Sequence, residues 1–343
     1  MRSLAVVVPR RAGEEVRRDL ARDGLLRDDL RIRAEAGTVA FPIRAPPARL
    51  PEGAEVRELD FEAAPPSPPK SYREGLSLDP EEAALLPSGY DVIGDIVLIR
   101  LPPELEGRAP EIGEALRSFV PGTRIVGIDR GVEGPRRIRR IERIAGTGGW
   151  ETRHTENRLS LDVDLERAYF SPRLAHEHEH VARGVRPGES VFDLCCGVGP
   201  FSLGIARDGR ARRVVAVDSN PDALRLLRAN ARRLGLEARI EAVEAPIEAF
   251  LPTAGRADRV IFNLPREGIK YVTQVASSVE RGGTLHYYEM TERSSVTQRP
   301  DALRELAVSG SGSPDWTVGP PRTVHPYSPS ADLVAYTLIR GPG

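Results

Sequence analysis

The 343-residue chain carries 49 Lys and Arg against 50 Asp and Glu, so no overall field attracts it to nucleic acid, and any RNA affinity must come from local charge. Its length allows two or three domains, and its only cysteines, Cys195 and Cys196, are too close in sequence for an ordinary disulfide, which indicates a reducing compartment. No apolar run reaches membrane-spanning length and the first eight residues lack a signal-peptide pattern, so we expect a cytoplasmic protein that does not cross a membrane.

The first part of the chain predicts a small N-terminal domain over residues 1–63 and a proline-rich, semi-rigid linker over residues 64–70. Its patterns are a strand over 4–8, a helix over 13–23 that Gly24 ends, and strands over 30–33 and 38–43. Such a linker predicts that the first domain moves on a tether.

The second part, residues 71–165, predicts an α+β domain that binds RNA. Its patterns are a strand over 90–99, a helix over 110–119, and strands near 124–128 and 136–144. The last strand carries a cluster of arginines between Arg136 and Arg143, which could grip phosphates.

The third part, residues 166–343, alternates strand and helix, which is typical of a parallel α/β sheet. The predicted strands are 190–194, 213–218, 238–244, 257–262 and 284–289, and the apolar run 332–339 is expected to close the sheet as a hairpin partner. In such sheets, ligands bind at the carboxyl ends of the strands.

Polar and glycine residues follow these predicted strands. They are Asp193 with Gly197, Gly199, Pro200 and Phe201 after the first strand, Asp218 at the end of the second, Glu244 at the end of the third, and Asn263-Leu264-Pro265 after the fourth. The glycines would let the backbone approach a ligand and lead into a helix with unpaired N–H groups. Asp218 could accept hydrogen bonds from ribose hydroxyls, and Glu244 would lie near an adenine edge.

The glycine turn alone fits a nicotinamide dinucleotide and S-adenosylmethionine equally well. However, Ser202 stands where a dinucleotide fingerprint has its third glycine, and Asp193 would repel a pyrophosphate but attract the cationic methionine portion of S-adenosylmethionine. Together with the Asn-Leu-Pro element, these residues favour methyl transfer to a nucleobase. RNA uracil-C5 methyltransferases share Asp-x-x-Cys-Gly-Val-Gly, but they need a separate nucleophilic cysteine, which this chain lacks outside the glycine loop.

Several segments together resemble the archaeal and eukaryotic tRNA guanine-N1 methyltransferases that act at position 37, next to the anticodon. They are residues 90–96 (Tyr-Asp-Val-Ile-Gly-Asp-Ile), 137–146, 168–174 (Ala-Tyr-Phe-Ser-Pro-Arg-Leu), 193–201, 218–221 (Asp-Ser-Asn-Pro) and 262–265 (Phe-Asn-Leu-Pro). Residues 8–10 and 25–28 are similar to the three-domain archaeal form. The resemblance implies a class I, Rossmann-like S-adenosylmethionine-dependent methyltransferase domain after two smaller α+β domains. It also implies a tRNA with guanosine at position 37 as substrate, and we expect a monomer.

The resemblance also implies roles for single residues. Guanine N1 bears a proton and is a poor nucleophile, so methylation needs a base and stabilisation of charge on O6. Glu177 matches the family's general base, and Arg137 matches the arginine near O6, with Arg139 as the alternative in register. Asn263 and Pro265 would hold the guanine, and Tyr169 would stack on it or line its pocket. Arg173 would contact the substrate. Each residue also has a simpler explanation. The arginines could bind phosphates of the anticodon stem, and Glu177 could lie on a helix surface. Tyr169 could be a core residue, and Asn263 could be a turn residue at the end of a strand.

Residues 176–180, His-Glu-His-Glu-His, depart from the family, which has threonine and arginines there. They contain the His-Glu-x-x-His pattern of zinc proteases, but that site needs a sustained helix and a third ligand, so we expect no metal. Protonatable histidines near RNA would instead make binding weaken as pH rises through the imidazole range.

Three other functions compete with guanine methylation. A wyosine-pathway enzyme would move a methyl or aminocarboxypropyl group onto a modified guanosine 37, but such relatives tend to lose the Asn-Leu-Pro and Ser-Pro-Arg-Leu-x-x-Glu patterns that remain here. A nicotinamide-dependent oxidoreductase predicts NADH binding and indifference to RNA. A non-catalytic RNA-binding protein is disfavoured by the intact acidic residues and Asn263.

Overall fold

The computed structural model describes residues 1–35, 37–65, 69–134, 136–328 and 330–342. They form two compact units, Met1–Lys70 and Ser71–Gly343. Residues 66–68 of the predicted linker lie outside the described residues. Within the described part of the chain, no helix has the length and apolarity needed to span a membrane.

The first unit is a four-stranded antiparallel sheet with one helix packed on it. Its elements are β1 (Arg2–Pro9), α1 (Gly13–Arg22), β2 (Arg33–Glu35), β3 (Thr38–Ile43) and β4 (Glu55–Asp60), in the sheet order β2-β3-β1-β4. Because side chains alternate along a strand, β1 turns Val6 and Val8 towards α1 and Ala5 and Val7 to the opposite face.

One strand prediction for this unit is wrong, and one strand was missed. The strand predicted over 30–33 is wrong, because Leu30 makes only an isolated bridge to Ala63 and β2 begins at Arg33. Strand β4 was not predicted, because four of its six residues carry charge and its burial comes from pairing with β1.

The second unit begins with a four-stranded sheet covered by a helix. Its elements are α2 (Pro80–Leu85), β5 (Tyr90–Ile93), β6 (Ile96–Ile99), α3 (Ala109–Phe119), β7 (Ile125–Glu133) and β8 (Ile138–Gly146), with the sheet order β5-β6-β7-β8. Helix α3 buries Ile112 and Leu116 against the sheet.

The single strand predicted over 90–99 is wrong, because the chain reverses at Gly94 and forms the β5–β6 hairpin. Gly94 has a φ of 59°, and a Cβ there would lie 2.1 Å from Thr152 Oγ1. Glycine is therefore required by both the backbone conformation and the close neighbour.

A further hairpin, β9 (Glu151–Glu156) and β10 (Leu159–Asp164), was not predicted. Its turn residues Asn157 and Arg158 both have positive φ, a conformation that hairpin turns demand and that asparagine tolerates. The alternating apolar residues of β10 pack into the core of the sheet that follows.

That sheet is the largest element of the molecule. Its helices and strands are α4 (Ala175–Arg183), β11 (Ser190–Leu194), α5 (Pro200–Asp208), β12 (Arg213–Asp218), α6 (Pro221–Arg233), β13 (Ile240–Glu244), α7 (Ile247–Phe250), β14 (Ala257–Phe262), α8 (Val272–Ser277), β15 (Val279–Glu292), α9 (Arg299–Ser311), β16 (Trp316–Val318), β17 (Arg322–Pro326) and β18 (Ala331–Arg340). Short 3-10 turns connect several of these elements.

The sheet order is β13-β12-β11-β14-β15-β18-β16, with β17 also paired to β18. Neighbouring strands from β13 to β15 are parallel, whereas β18 is antiparallel to β15. Helices cover both faces, because Val191 of β11 packs with α5 and α6 while Phe192 packs with α8 and α9. This confirms the predicted α/β class.

The last predicted strand pairs with the strand expected, but it is not joined to that strand by a hairpin turn. Strand β18 pairs with β15, but α9, β16 and β17 come between them in sequence, so the two strands do not form a simple hairpin. Strands β16 and β17 are short and were not predicted.

The sheet order reverses between β11 and β14, and this places the candidate site. Leu194 is in register with Val217 of β12 and with Phe262 of β14, so the loops that follow these three strands emerge side by side. Ligands bind at such a switch point in open α/β sheets.

Candidate active site

An open cleft lies at this carboxyl edge. One wall consists of the loops after β11, β12, β13 and β14, and the other consists of the β7–β8 region and the segment 169–174. Ten predicted site residues line it: Arg137, Arg139, Tyr169, Arg173, Gly197, Pro200, Phe201, Asp218, Asn263 and Pro265. Asp193, Gly199, Glu177 and Glu244 are not in its lining.

Gly197 and Asp218 form the centre of the first wall. Asp218 accepts hydrogen bonds from the backbone N–H groups of Gly197 and Asn220, each at 2.8 Å. Burial raises the pKa of Asp218, and these hydrogen bonds partly offset the effect. A Cβ on Gly197 would find only the Tyr169 carbonyl oxygen, 3.6 Å away, so the backbone here is open to a ligand.

Gly199 is needed for packing rather than for ligand approach. It has a φ of 81°, and a Cβ there would lie 2.2 Å from Leu227 Cδ1 of α6. Pro200 then begins α5 at a position where its missing N–H costs nothing.

Asp193 lies beneath the glycine loop and is 1% exposed. Its Oδ2 accepts hydrogen bonds from the Ser202 hydroxyl at 2.6 Å and the Ser202 N–H at 3.1 Å. Burial, with a smaller contribution from the neighbouring Asp218, raises the pKa of Asp193 to about 7 despite these bonds. Its Oδ1 has no hydrogen-bond partner among the described residues, which suits the acceptance of a bond from a cationic amino group.

Asn263 offers a second unsatisfied acceptor, because its Oδ1 is buried without a partner among the described residues. Pro265, two residues later, is buried and also lines the cleft. With Gly197, Asp218 and Asp193, these groups fit S-adenosylmethionine beside a planar base. An unpaired buried acceptor is costly unless a ligand satisfies it.

The predicted adenine contact of Glu244 is not supported by its position. Glu244 ends β13, but its side chain is exposed, and this part of the wall consists of Ala245, Pro246 and Ile247.

The two cysteines are poor nucleophiles in this environment. Burial raises the pKa of both thiols, and Asp193 and Asp218 raise them further. Because the thiolate is the reactive form, covalent attack on a pyrimidine by either cysteine is disfavoured.

Arg137 and Tyr169 meet at the second wall. The Arg137 guanidinium carbon lies 4.7 Å from the centre of the Tyr169 ring, and its Nε is buried without a partner among the described residues. Arg137 has a φ of 53°, a conformation that costs a non-glycine residue about 1–2 kcal/mol. Strain of this kind accumulates at functional sites.

The guanidinium of Arg139 already donates hydrogen bonds to other residues of the protein. Its Nη1 donates to Asp129 Oδ2 at 2.6 Å, its Nη2 donates to the Phe170 carbonyl at 2.9 Å, and the residue is 6% exposed. Arg173 is more exposed and donates to Asp91 at 2.7 Å. Arg137 is therefore better placed than Arg139 to donate to a substrate.

Glu177 lies in the first turn of α4 behind the cleft, while its neighbour His178 lines it. Its carboxylate accepts hydrogen bonds from both Nη atoms of Arg322 and, at 2.7 Å, from the Tyr288 hydroxyl. Burial would raise the pKa of Glu177, but the bonds from Arg322 and Tyr288 outweigh it and the pKa is lowered.

The histidines of α4 have different environments. His178 is buried, and its Nδ1 lies 2.6 Å from Glu156 Oε1, whereas His176 and His180 are exposed. The helix is nine residues long, so the helical condition for a zinc motif is met. Among the described residues, however, no three His, Cys, Asp or Glu side chains are arranged to hold a metal ion.

Some residues of the cleft were missed in the sequence. They are Arg100, Arg266, Met290, His325 and Tyr327. Arg266 directly follows the Asn-Leu-Pro element and lies 5.6 Å from the Tyr327 ring centre, so its sequence position was a usable signal. Tyr327 and His325 gave none, because they reach the cleft from near β17, far along the chain.

The charge of the cleft differs from that of the whole chain. Six arginines of the described residues line it, Arg100, Arg136, Arg137, Arg139, Arg173 and Arg266, against the carboxylates Asp91 and Asp218. The net charge of the chain is −1. This local excess of positive charge is the kind of patch that contacts a phosphate backbone.

Three family models match the chain in succession. They are described as the tRNA methyltransferase 5 N-terminal domain over residues 5–51, the TYW2 N-terminal domain over 72–149, and the TRM5/TYW2 methyltransferase domain over 152–309. Among curated proteins, the Pyrococcus abyssi tRNA (guanine(37)-N(1))-methyltransferase Trm5b is 36% identical, with 89% of this chain and 90% of that protein covered.

Solved structures and a second relative extend the comparison. The crystal structure of Pyrococcus abyssi Trm5b superposes with a TM-score of 0.80 at 32% identity, covering 98% of this chain and 99% of that one. A complex of aTrm5 with tRNALeu gives 0.78 at 28% identity, covering 98% and 100%. The Pyrococcus horikoshii tRNA(Phe) (4-demethylwyosine(37)-C(7)) aminocarboxypropyltransferase is 30% identical over 66% of this chain and 81% of its own length.

Proposed function

Because this chain belongs to the TRM5/TYW2 methyltransferase family, we propose that it transfers a methyl group from S-adenosylmethionine to N1 of guanosine 37 in tRNA. The observation that carries the proposal is the unsatisfied Asn263 Oδ1 beside Pro265, facing the same cleft as Arg137. These groups offer an acceptor, an apolar face and a cation to one planar base.

S-adenosylmethionine supplies an electrophilic methyl group, and the residues of the chain prepare the guanine for it. Glu177 accepts the N1 proton, Arg137 donates to O6 as negative charge develops there, and Asn263 accepts from the guanine edge. Catalytic hydrogen bonds often tighten only with substrate bound, so the position of Glu177 behind the cleft is compatible with this role.

The remaining assignments follow the two walls of the cleft. Asp193, Gly197 and Asp218 hold the cofactor, with Pro200 and Phe201 at the start of α5. Tyr169 and Arg173 hold the substrate. Residues 71–165 would act as an RNA-binding domain, and residues 1–63 would recognise the shape of the tRNA from their tether.

A wyosine-pathway activity is the second candidate, and the similarity to the Pyrococcus horikoshii aminocarboxypropyltransferase supports it. The match to Trm5b is higher in identity and covers more of both chains, so guanine methylation comes first.

The test is methyl transfer from labelled S-adenosylmethionine to two unmodified tRNA transcripts that differ only in guanosine or adenosine at position 37. We expect 1-methylguanosine on the guanosine transcript alone, by nucleoside analysis. Label on neither transcript would reject the proposal, and a 4-demethylwyosine tRNA would then test the second candidate.

A further inference from the structure

The contacts of Glu177 form a network behind the cleft, in which the Glu177 carboxylate is buried and Arg322 is partly exposed. Glu177 comes from α4, Tyr288 from β15 and Arg322 from β17, and the Glu177 side chain is 1% exposed. Arg322 Nη2 donates to Oε1 at 2.8 Å while Nη1 donates to Oε2. This two-bond geometry fixes both the position and the orientation of a carboxylate.

Other titratable groups lie near this network without pairing with Glu177. His180 on the same helix and His286 on β15 interact electrostatically with Glu177, Arg259 of β14 contacts His286, and Asp193 of β11 acts on Tyr288. Burial and Arg259 hold the pKa of His286 at about 3, so it is neutral near pH 7. Among the described residues, Arg322 is therefore the cation that contacts Glu177 directly.

This arrangement has a consequence for a general base. A base must be ionised before it accepts a proton, and a paired arginine keeps a carboxylate ionised to lower pH. The same pair weakens the carboxylate as a proton acceptor, so the strength of the pairing matters for the reaction.

We propose that Arg322 is a positioning residue for the general base: it orients the Glu177 carboxylate, keeps it ionised, and so sets the lowest pH at which guanine is methylated. The proposal rests on the proposed function, in which Glu177 takes the N1 proton. In that step the N1 proton passes to Glu177, the N1–C bond forms as the S–C bond breaks, and the cofactor leaves as a neutral thioether; after the products are released, Glu177 gives the proton to solvent.

The test is the pH profile of single-turnover methyl transfer, with tRNA and S-adenosylmethionine saturating so that the chemical step is measured. The acid limb of this profile is the pH range in which the rate falls as Glu177 becomes protonated. For Arg322→Gln we expect this limb to shift to higher pH by roughly 1–3 pH units, the usual effect of an adjacent arginine on a carboxyl pKa. Tyr288→Phe removes one hydrogen bond and should move the limb in the same direction by less. Arg322→Lys keeps the charge and should leave the limb near its original pH while the plateau rate falls.

Arg304→Gln is the matched control, because Arg304 is an exposed residue of α9 and its loss changes the net charge equally. Its acid limb should remain that of the unaltered protein. Thermal unfolding and S-adenosylmethionine affinity confirm that each variant is folded, and if Arg322→Gln does not fold, Tyr288→Phe carries the test.

The outcomes are separable. A folded Arg322→Gln variant whose plateau rate falls while its acid limb stays at the original pH would show that Arg322 only supports the fold, which overturns the proposal. An unaltered protein that makes no 1-methylguanosine would refute the proposed function itself. If the unaltered protein is active and Glu177→Gln equals it, Glu177 is not the base and Arg322 loses its role.

Discussion

The two walls of the cleft are built on different principles. The cofactor wall, formed by the loops after β11, β12, β13 and β14, is held mainly by main-chain geometry. Asp218 accepts hydrogen bonds from backbone N–H groups, and Gly199 packs against Leu227. The substrate wall, formed by the β7–β8 region and residues 169–174, is held by side-chain ion pairs: Arg139 pairs with Asp129 on the neighbouring strand, and Arg173 pairs with Asp91, 82 residues away in sequence. A wall of the first kind follows from local motifs, whereas the second depends on which charges the fold brings together.

The largest expected effect separates the two arginines of the substrate wall. Arg137→Ala should lower single-turnover methyl transfer about 10²–10³-fold with little loss of stability, because it removes a donor aimed at developing charge. Arg139→Ala should instead cost up to about 3–5 kcal/mol of folding free energy, because the buried Asp129 would lose its shortest ion pair and keep only Arg100, at 3.4 Å, and the Gly131 N–H as partners. Rates and thermal unfolding of both variants would check this.

Arg137→Lys is the control, since it keeps the charge but loses the planar fork. If Arg137→Ala destabilises the fold while Arg139→Ala stays stable and inactive, the two roles are reversed and Arg139 is the residue near O6.

The next effect compares the two glycines of the cofactor wall. Gly199→Ala should destabilise the protein by about 2–5 kcal/mol, the sum of a left-handed backbone penalty and overpacking against Leu227. Gly197→Ala carries only the backbone penalty of about 1–2 kcal/mol, and its added methyl should weaken S-adenosylmethionine binding. Denaturant unfolding and calorimetry separate the two, and equal stability losses would contradict the packing role of Gly199.

Asp193 gives a smaller, pH-dependent effect. Its pKa is raised on folding from 3.8 to about 7, so its contribution to stability is full below the unfolded value and is lost as pH rises through about 7. A cationic ligand favours the ionised form, so S-adenosylmethionine affinity should rise by up to about tenfold per pH unit below 7 and level off above it. Calorimetry from pH 5.5 to 8 measures this, and Asp193→Asn should give a flat, weaker profile.

The smallest effect tests whether the substrate wall extends to α4. His176 and His180 are exposed, while His178 is paired with Glu156, so only the first two are available to a phosphate. Their protonation should strengthen tRNA binding at mildly acid pH by about 0.2–1 kcal/mol each, the range for exposed charge pairs. Filter binding of the His176→Gln/His180→Gln variant should lose this dependence, and an unchanged slope would remove the hypothesis.

The sequence was most informative where local rules apply. The strands of the large sheet could be placed because fully buried parallel strands are continuous apolar runs, as in β11, β12 and β14. The prediction failed at β4, β9 and β17, whose charged or polar residues become strands only by pairing with neighbours. It also failed at Gly94, where a turn lies inside an apolar run.

Strand ends and glycine turns are local properties of the chain, so the residues at the carboxyl edge of the sheet could be identified from sequence alone. Which of those residues already have hydrogen-bond partners depends on the tertiary fold. Glu177 and Arg322 are 145 residues apart, and no periodicity links them. Glu177 lies on α4 and Arg322 on β17, and they pair because the fold brings these two elements together and gives the buried Glu177 carboxylate a cationic partner.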